Sequence, residues 1–239
     1  GDGIADGACD CNGSLPYEGF DCFGNCIVNI DCSGECGGSA YLDNCGQCVG
    51  GNTGQNECIG DDYNLSLHVG SNLVSFYSMP INNSLNYYLS SNINDHVYAV
   101  YGITNSSINI GNNFWQGSLD TLLNTAGYWF KTINTTELEI ENVWDVPDDL
   151  MYNLSIGTNL VSFPTNGTFP IEDVISSQYW SNFDAIIGES LIAIQENGEW
   201  VGSLEELSGG DGYYFIMNNA LDFSYTIDSL LLNNQINKK

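Results

Sequence analysis

The chain has 239 residues, with 30 acidic side chains, three lysines, no arginine and a formal net charge of −27. So few cations cannot neutralise a phosphate backbone, which excludes nucleic acids and anionic membrane surfaces as partners. No apolar run is long enough to span a bilayer, so we expect no membrane insertion.

Residues 1–60 are predicted to form a small separate module. Large apolar residues are too few there for an ordinary core, so covalent or metal staples must hold the module together. All nine cysteines of the chain lie in this segment: Cys9, Cys11, Cys22, Cys26, Cys32, Cys36, Cys45, Cys48 and Cys58.

Disulfides are the favoured staples because the cysteine spacings repeat no single ligand pattern and the segment contains no histidine. Zinc or an iron–sulfur cluster is the alternative, since Cys45 and Cys48 have the spacing of metal ligands. The sequence does not assign the pairing. An odd number of cysteines predicts one that is unpaired or that joins two subunits.

A motif of the form D-C-x-G-x-C recurs at residues 21–26 and 31–36, with looser copies at 10–13 and 43–48. Residues 31–54 resemble the Cys/Gly/Asp-rich repeats of large secreted proteins from aquatic bacteria, which often adjoin calcium-binding repeats similar to thrombospondin type 3. The opening segment, residues 2–7, is similar to the end of such a calcium repeat. The resemblance implies an extracellular or cell-surface location and calcium ligands at Asp2, Asp6 and Asp10. We expect no other cofactor.

The remaining chain is an internal duplication. Three motifs occur in the same order in both copies: Gly70–Phe76 recurs as Gly157–Phe163, Trp115–Leu119 as Trp200–Leu204, and Gly127–Phe130 as Gly212–Phe215. The offset is 87 residues at the first motif and 85 at the other two. We therefore predict two homologous modules, residues 61–145 and residues 146–239, the second with a C-terminal extension.

Each copy has the pattern of short strands joined by turns. Leu73–Phe76 and Val97–Tyr101 are predicted strands, and Asn197–Gly198 predicts a tight hairpin turn. The Gly-Ser-Leu-x-x-Leu segments at residues 117–122 and 202–207 predict a single helical turn opened by a serine cap. The repeated aromatic residues are predicted to be core rather than a sugar-stacking platform. The expected fold class is all-β, with two sandwich-like or barrel-like modules.

Both copies also resemble a G-x-N-L-V-S-F-P module that occurs in tandem, as a non-catalytic part, in secreted and surface proteins of marine and freshwater bacteria. The shared motifs are packing motifs, so this resemblance implies a scaffold.

Catalytic patterns are weak throughout the sequence. The two histidines, His68 and His96, lie on different segments without the spacing of a zinc protease. Acidic pairs such as Glu196 with Glu199 and Glu205 with Glu206 fall in turns, where carboxylates are normally solvated. We therefore expect that the protein is not an enzyme.

Seven asparagines lie in N-x-S/T sequons and are candidates for N-glycosylation: Asn12, Asn64, Asn82, Asn105, Asn134, Asn153 and Asn166. Asn64 and Asn153 occupy the same place in the two copies. Modification there would put both residues on the surface, and glycans are accordingly an expected partner.

The leading functional hypothesis is an extracellular structural protein that self-associates into a homopolymer such as a filament, surface layer or matrix. Residues 1–8 and Ser229–Leu232 are candidate segments for exchange between subunits, because an exposed strand edge can accept a segment from a neighbour. The alternative is an adhesin or carbohydrate-binding module of a larger surface protein. Exposed tryptophans, Trp144 and Trp180 above all, would favour that alternative.

Overall fold

A computed structural model describes residues 6–10, 12–43, 47–57, 62–80, 82–89, 96–111, 114–141, 143–145 and 150–227. The chain forms two compact units, Gly1–Cys58 and Ile59–Lys239. Regular structure in both units is almost entirely antiparallel strand, which confirms the all-β prediction. In the described part of the chain, no helix has the length and apolar character needed to cross a membrane.

The N-terminal unit is a series of tight loops with one short hairpin, formed by β1 (Tyr41–Leu42) and β2 (Cys48–Val49). Its few buried residues include Ala40 and Val49. Three disulfides cross it: Cys9–Cys22, Cys26–Cys36 and Cys32–Cys48. The predicted disulfide framework is therefore confirmed for six cysteines. Cys11, Cys45 and Cys58 lie outside the described residues, and the odd cysteine stays a prediction.

In its described residues, the first β module has nine strands and one helical turn: β3 (Tyr63–Leu67), β4 (Gly70–Val74), β5 (Ser78–Pro80), α1 (Leu85–Tyr88), β6 (Val97–Tyr101), β7 (Ser106–Asn109), β8 (Trp115–Gly117), β9 (Tyr128–Thr132), β10 (Thr136–Ile140) and β11 (Val143–Asp145). The strand over Val97–Tyr101 is confirmed, and the strand predicted at Leu73–Phe76 begins earlier, at Gly70, and ends at Val74.

The second β module follows the same order, with an extra strand (β18) before β19 and, among its described residues, no strand corresponding to β11. Its elements are β12 (Tyr152–Leu154), β13 (Gly157–Ser162), β14 (Thr168–Pro170), α2 (Ile171–Val174), a 3-10 turn (Trp180–Asn182), β15 (Phe183–Ile187), β16 (Ile192–Glu196), β17 (Glu199–Gly202), β18 (Glu206–Ser208), β19 (Gly212–Met217) and β20 (Leu221–Phe223).

Each module contains a five-stranded antiparallel sheet. The strand order is β4-β9-β6-β7-β8 in the first and β13-β19-β15-β16-β17 in the second. A second strand pair, β3 with β10 or β12 with β20, contributes residues to the same core. Phe76 and Phe130 are fully buried in the first core, and their counterparts Phe163 and Phe215 are fully buried in the second. The repeated aromatic motifs thus place their phenylalanines in the two cores.

The repeated asparagine of the first motif holds the turn that leads into β4 or β13. The Asn72 side chain accepts a hydrogen bond from the backbone N–H of His68 at 2.7 Å and donates to the His68 carbonyl at 2.9 Å. Asn159 makes the same pair of bonds to Ser155, both at 2.8 Å. One side-chain amide can satisfy both polar groups of a backbone residue, which accounts for asparagine at this position in both copies.

The turn predictions divide into one success and one error. Asn197 and Gly198 join β16 to β17 with φ of 53° and 89°, so the predicted tight hairpin is confirmed. The predicted helical turn at 117–122 and 202–207 is wrong. The backbone N–H of Leu204 donates to the Ile192 carbonyl at 3.0 Å, and Leu207 lies in β18 paired with β14. Both leucines are buried from an extended chain, because the hairpin end and the β14 edge take up its hydrogen bonds.

Candidate functional site

The aspartates of the N-terminal repeat organise their own loops. Asp21 Oδ1 accepts hydrogen bonds from the backbone N–H groups of Phe23 at 2.9 Å and Asn25 at 2.8 Å. Gly24, at φ of 82°, turns the chain so that its N–H donates to the Asp21 carbonyl at 3.1 Å. Asp31 builds the same loop with Gly34 at φ of 87°. The D-x-x-G spacing therefore encodes a carboxylate-capped turn.

Of the predicted calcium ligands, Asp10 also caps such a loop. Its carboxylate accepts from Asn12 N–H at 2.8 Å, Ser14 N–H at 3.1 Å and the Ser14 hydroxyl at 2.7 Å, which lowers the pKa of Asp10 below its usual value. Asp6 is exposed, and Asp2 lies outside the described residues. In the described part of the chain, no group of three His, Cys, Asp or Glu residues is arranged to hold a metal ion. The calcium site stays a prediction.

The candidate glycosylation residues are mostly on the surface. Six of the seven asparagines are exposed, and Asn105 is half-buried. Asn64 lies on β3 and Asn153 on β12, so the structure places this pair at equivalent positions of the two modules.

The five tryptophans are all half-buried and none is fully exposed. Trp180 packs on the second core and stacks edge-on with Trp200 at a centroid distance of 6.2 Å, while its indole N–H donates to the Ile175 carbonyl at 2.7 Å. The Nε1 atom of Trp200 is buried and has no hydrogen-bond partner among the residues that the structure describes. Trp144 lies on β11, opposite Met79. This arrangement favours a packing role for Trp180 over a sugar-stacking role.

The two β modules contact each other through a reciprocal set of bonds that the sequence motifs did not reveal. The backbone N–H of Ser75 donates to the Gly210 carbonyl at 2.7 Å, and that of Ser162 donates to the Thr125 carbonyl at 3.3 Å. Ser75 and Ser162 are the same residue of the two copies, and their acceptors also correspond. Each module therefore offers the same surface to the other, which is the geometry of a two-fold interface.

Glycines make the close approach at this interface. A Cβ on Gly127 would lie 2.9 Å from the Val161 carbonyl oxygen, and a Cβ on its counterpart Gly212 would lie 2.9 Å from the Val74 carbonyl oxygen. On the local axis, Trp129 Nε1 donates to the Tyr214 hydroxyl at 2.8 Å, and these two residues are again counterparts. The repeated Gly-Tyr-x-Phe motif thus serves the interface through its glycine and the core through its phenylalanine.

Two clefts flank the axis at related positions, and only one of the two is lined by carboxylates. The first, of about 460 Å³, is lined by Leu73, Glu189, Asp211 and several hydroxyl groups. The second, of about 450 Å³, has Ile103 and Ala126 at the positions of Glu189 and Asp211. The acidic residues therefore distinguish one cleft from the other on a shared framework.

Glu189 is the central residue of the acidic cleft. Its Oε2 atom accepts from the backbone N–H of Leu73 at 2.9 Å, and its Oε1 atom pairs with His68 Nε2 at 2.6 Å. The Val69 carbonyl and then Glu189 raise the pKa of His68, since both stabilise the protonated ring. Partial desolvation of the Asp211 carboxyl, followed by the nearby charge of Glu189, raises the pKa of Asp211 to about 6, although the residue keeps contact with solvent.

Sequence reasoning therefore missed both the interface and the cleft. The side chain of His68 is 58% exposed, yet it pairs with Glu189 of the other module. The signal for the interface was the serine of the repeated L-V-S-F motif, a polar residue that is fully buried in both copies. Comparison with protein-family models, curated proteins and solved structures found no match to this chain.

Proposed function

We propose that the protein is a non-catalytic extracellular structural protein, a subunit of a filament, surface layer or matrix. The observation that carries this proposal is the reciprocal interface between the two β modules. Neighbouring domains of one chain ordinarily move relative to each other unless their contact is extensive. Here backbone-to-backbone bonds, such as Ser75 to Gly210 and Gly127 to Leu160, join the modules. A locked pair suits a protein that must keep its geometry under load.

The N-terminal unit supports the same proposal. Cys26–Cys36 and Cys32–Cys48 interleave along the chain, so each bridge encloses one end of the other loop. Disulfides of this density are typical of secreted modules. The resemblance of residues 31–54 to repeats of secreted proteins supports the same location. Exposed sequon asparagines would carry glycans on such a protein.

Assembly would use the free sheet ends. β8 and β17 lie at the outer ends of the two five-stranded sheets. A terminal segment from a neighbouring subunit can add to such an edge, and a head-to-tail contact that does not close extends into a fibre. The segments proposed for exchange, residues 1–8 and Ser229–Leu232, lie wholly or in part outside the described residues. Calcium at Asp2, Asp6 and Asp10, or salt, would screen the charge of −27 between subunits.

The test is negative-stain electron microscopy of the native protein with and without a calcium chelator. Regular fibres or sheets are the expected result, and their loss in chelator would assign the bridging role to calcium. Isolated particles in both conditions, at high protein concentration and in 0.5 M salt, would refute the structural proposal.

A second candidate function is a carbohydrate-binding adhesin, and the acidic cleft favours it. Hydroxyl groups of Thr168, Ser203 and Ser208 line this cleft beside the carboxylates of Glu189 and Asp211, and such groups hydrogen-bond to sugars. Glycan-array binding that is lost in the Glu189→Ile variant, which copies Ile103 of the first module, would establish this function.

A further inference from the structure

His68 is held through both of its ring nitrogens at the edge of the acidic cleft. Nδ1 lies 2.8 Å from the Val69 carbonyl oxygen, and Nε2 lies 2.6 Å from Glu189 Oε1. A carbonyl oxygen and a carboxylate oxygen only accept hydrogen bonds, so both ring nitrogens must donate. An imidazole donates from both nitrogens only when it is protonated. The geometry of these two contacts therefore selects the charged form of His68.

Glu189 connects this charged ring to the interface between the two modules. His68 and Leu73 belong to the first module, and Glu189 belongs to the second. The second carboxylate oxygen of Glu189 accepts from the backbone N–H of Leu73 at 2.9 Å. The turn before Leu73 is itself fixed, because Asn72 bonds to both backbone groups of His68. Glu189 therefore holds an ordered part of the first module through one charged donor and one backbone donor.

Asp211 places a second titratable group beside the same contact. Its carbonyl accepts from the Ser75 hydroxyl at 2.6 Å, and the carbonyl of the preceding Gly210 accepts from the Ser75 N–H at 2.7 Å. Partial desolvation and then the charge of Glu189 raise the pKa of Asp211 to about 6. A backbone carbonyl and then Glu189 raise the pKa of His68. As pH rises through both pKa values, the three side chains change from net neutral to doubly negative.

The other half of the two-fold interface lacks these three groups. The counterparts of His68, Glu189 and Asp211 line the second cleft, and they are Ser155, Ile103 and Ala126. The reciprocal backbone bond is nevertheless present there, from the Ser162 N–H to the Thr125 carbonyl at 3.3 Å. The same interface therefore exists once with the titratable groups and once without them, which makes the second half an internal reference.

We infer that His68, Glu189 and Asp211 form a pH-sensitive contact, which holds one half of the module interface closed in acid and lets it open above neutral pH. In acid the protonated ring satisfies both of its acceptors, and Asp211 is uncharged. At higher pH the neutral ring can donate to only one acceptor, and the charged Asp211 repels Glu189. Both proton losses act in the same direction, so the stabilisation is lost as pH rises. The modules then hinge about the half that contains Ser162.

The surrounding groups do not reverse this direction. Other titratable or charged side chains near the contact are Glu205, Glu206, Tyr77, Tyr213 and Lys131. The two glutamates are exposed on the cleft lining, and their charge opposes any further negative charge in the cleft. Desolvation and then Asp211 raise the pKa of Tyr213, so Tyr213 stays neutral. The ammonium of Lys131 donates to the Ser71 hydroxyl.

Amide hydrogen exchange of the full chain at residue resolution tests the inference, because it reports local opening of hydrogen bonds. The Ser75 and Ser162 amides make the two reciprocal bonds, so their ratio cancels effects common to both halves. After correction for intrinsic exchange, we expect the protection of Ser75 to fall about tenfold relative to Ser162 between about pH 5 and pH 8.5. The salt concentration should be about 0.05 M, where screening is weak. Leu73, which bonds to Glu189, should follow Ser75.

A double variant removes the titratable groups without introducing residues that are foreign to the framework. His68→Ser copies Ser155, and Asp211→Ala copies Ala126 of the other half. We expect the ratio of Ser75 to Ser162 protection in this variant to stay constant over the same pH range. Thermal unfolding checks that the variant is folded, and the pH dependence of the wild-type ratio decides the inference even if it is not.

His96→Ser is the matched control, because His96 lies in the turn before β6 and contacts Asn134. It should keep the fall seen in the wild type. A wild-type ratio that does not change with pH would overturn the inference, as would a fall that persists in the double variant. The inference goes beyond the structural proposal, which requires no response to pH, and electron microscopy separates the two. Fibres with a constant ratio would refute the pH-sensitive contact alone, and a falling ratio without fibres would support it while the structural proposal fails.

Discussion

Substitution of Gly127 by alanine tests the interface between the two modules most directly. The new Cβ would lie 2.9 Å from the Val161 carbonyl oxygen and 3.0 Å from a Leu160 side-chain carbon, both in the other module. Backbone on the far side must therefore shift. Overpacking of this kind costs about 1–3 kcal/mol, against a gain of roughly 0.4–1 kcal/mol from the stiffer unfolded chain. We expect the free energy of unfolding to fall by about 1–2 kcal/mol.

The assay is urea unfolding followed by tryptophan fluorescence, in which Trp129 at the interface reports loss of its bond to Tyr214. Gly212→Ala is the reciprocal variant and should cost a similar amount, since its Cβ would lie 2.9 Å from the Val74 carbonyl oxygen. Gly188→Ala is the control, because its Cβ would meet only Tyr213 and Leu204 at 3.6 Å or more. If all three variants were equally stable, the tight reciprocal interface would be refuted.

Three further predictions concern the acidic cleft, the disulfides and the turn held by Asn72 and Asn159. The pKa of Asp211 is about 6 in the folded protein against 3.8 in water, so ionisation of this carboxyl lowers the stability of the fold as pH rises between these values. Asp211→Asn should therefore raise the thermal unfolding midpoint more at pH 7.5 than at pH 3.5. An equal change at the two pH values would contradict this reasoning. Joint replacement of Cys32 and Cys48 by serine opens a loop with a sequence separation of 16 and should cost about 3 kcal/mol in the N-terminal unit, seen as faster proteolysis of that unit alone. Asn72→Ala should lower the free energy of unfolding by about 2 kcal/mol and Asn159→Ala by less, because Asn72 is the more buried of the two. Urea unfolding of both variants measures the two losses, and an equal or larger loss in Asn159→Ala would contradict the role of burial.

Local patterns in the sequence predicted the parts of this fold that local chemistry determines. Asn197–Gly198 specifies a hairpin because few residue pairs tolerate two left-handed conformations in succession. The serine in Gly-Ser-Leu-x-x-Leu misled the helix prediction, since serine also starts turns that lead into strands. Its backbone hydrogen bonds go to the distant Ile192 carbonyl, which no local pattern reveals.

The sequence predicted less of the candidate sites than of the fold. Glu189 reaches His68 and Leu73 across 121 and 116 residues of chain, so only the pairing of the two modules brings them together. Asp10, Asp21 and Asp31 each cap a turn of the form D-x-x-G with their carboxylates. The calcium ligands Asp2, Asp6 and Asp10 were expected from a resemblance alone, and they stay a prediction.

Fusion of two like modules in one chain lets the two sides of their interface differ. In a homodimer of identical modules, every residue near the two-fold axis would occur on both sides. In the tandem, Glu189 and Asp211 line one of two related clefts, and Ile103 and Ala126 line the other. The duplication therefore produces an asymmetric pair, in which one cleft can serve a role that its counterpart does not share.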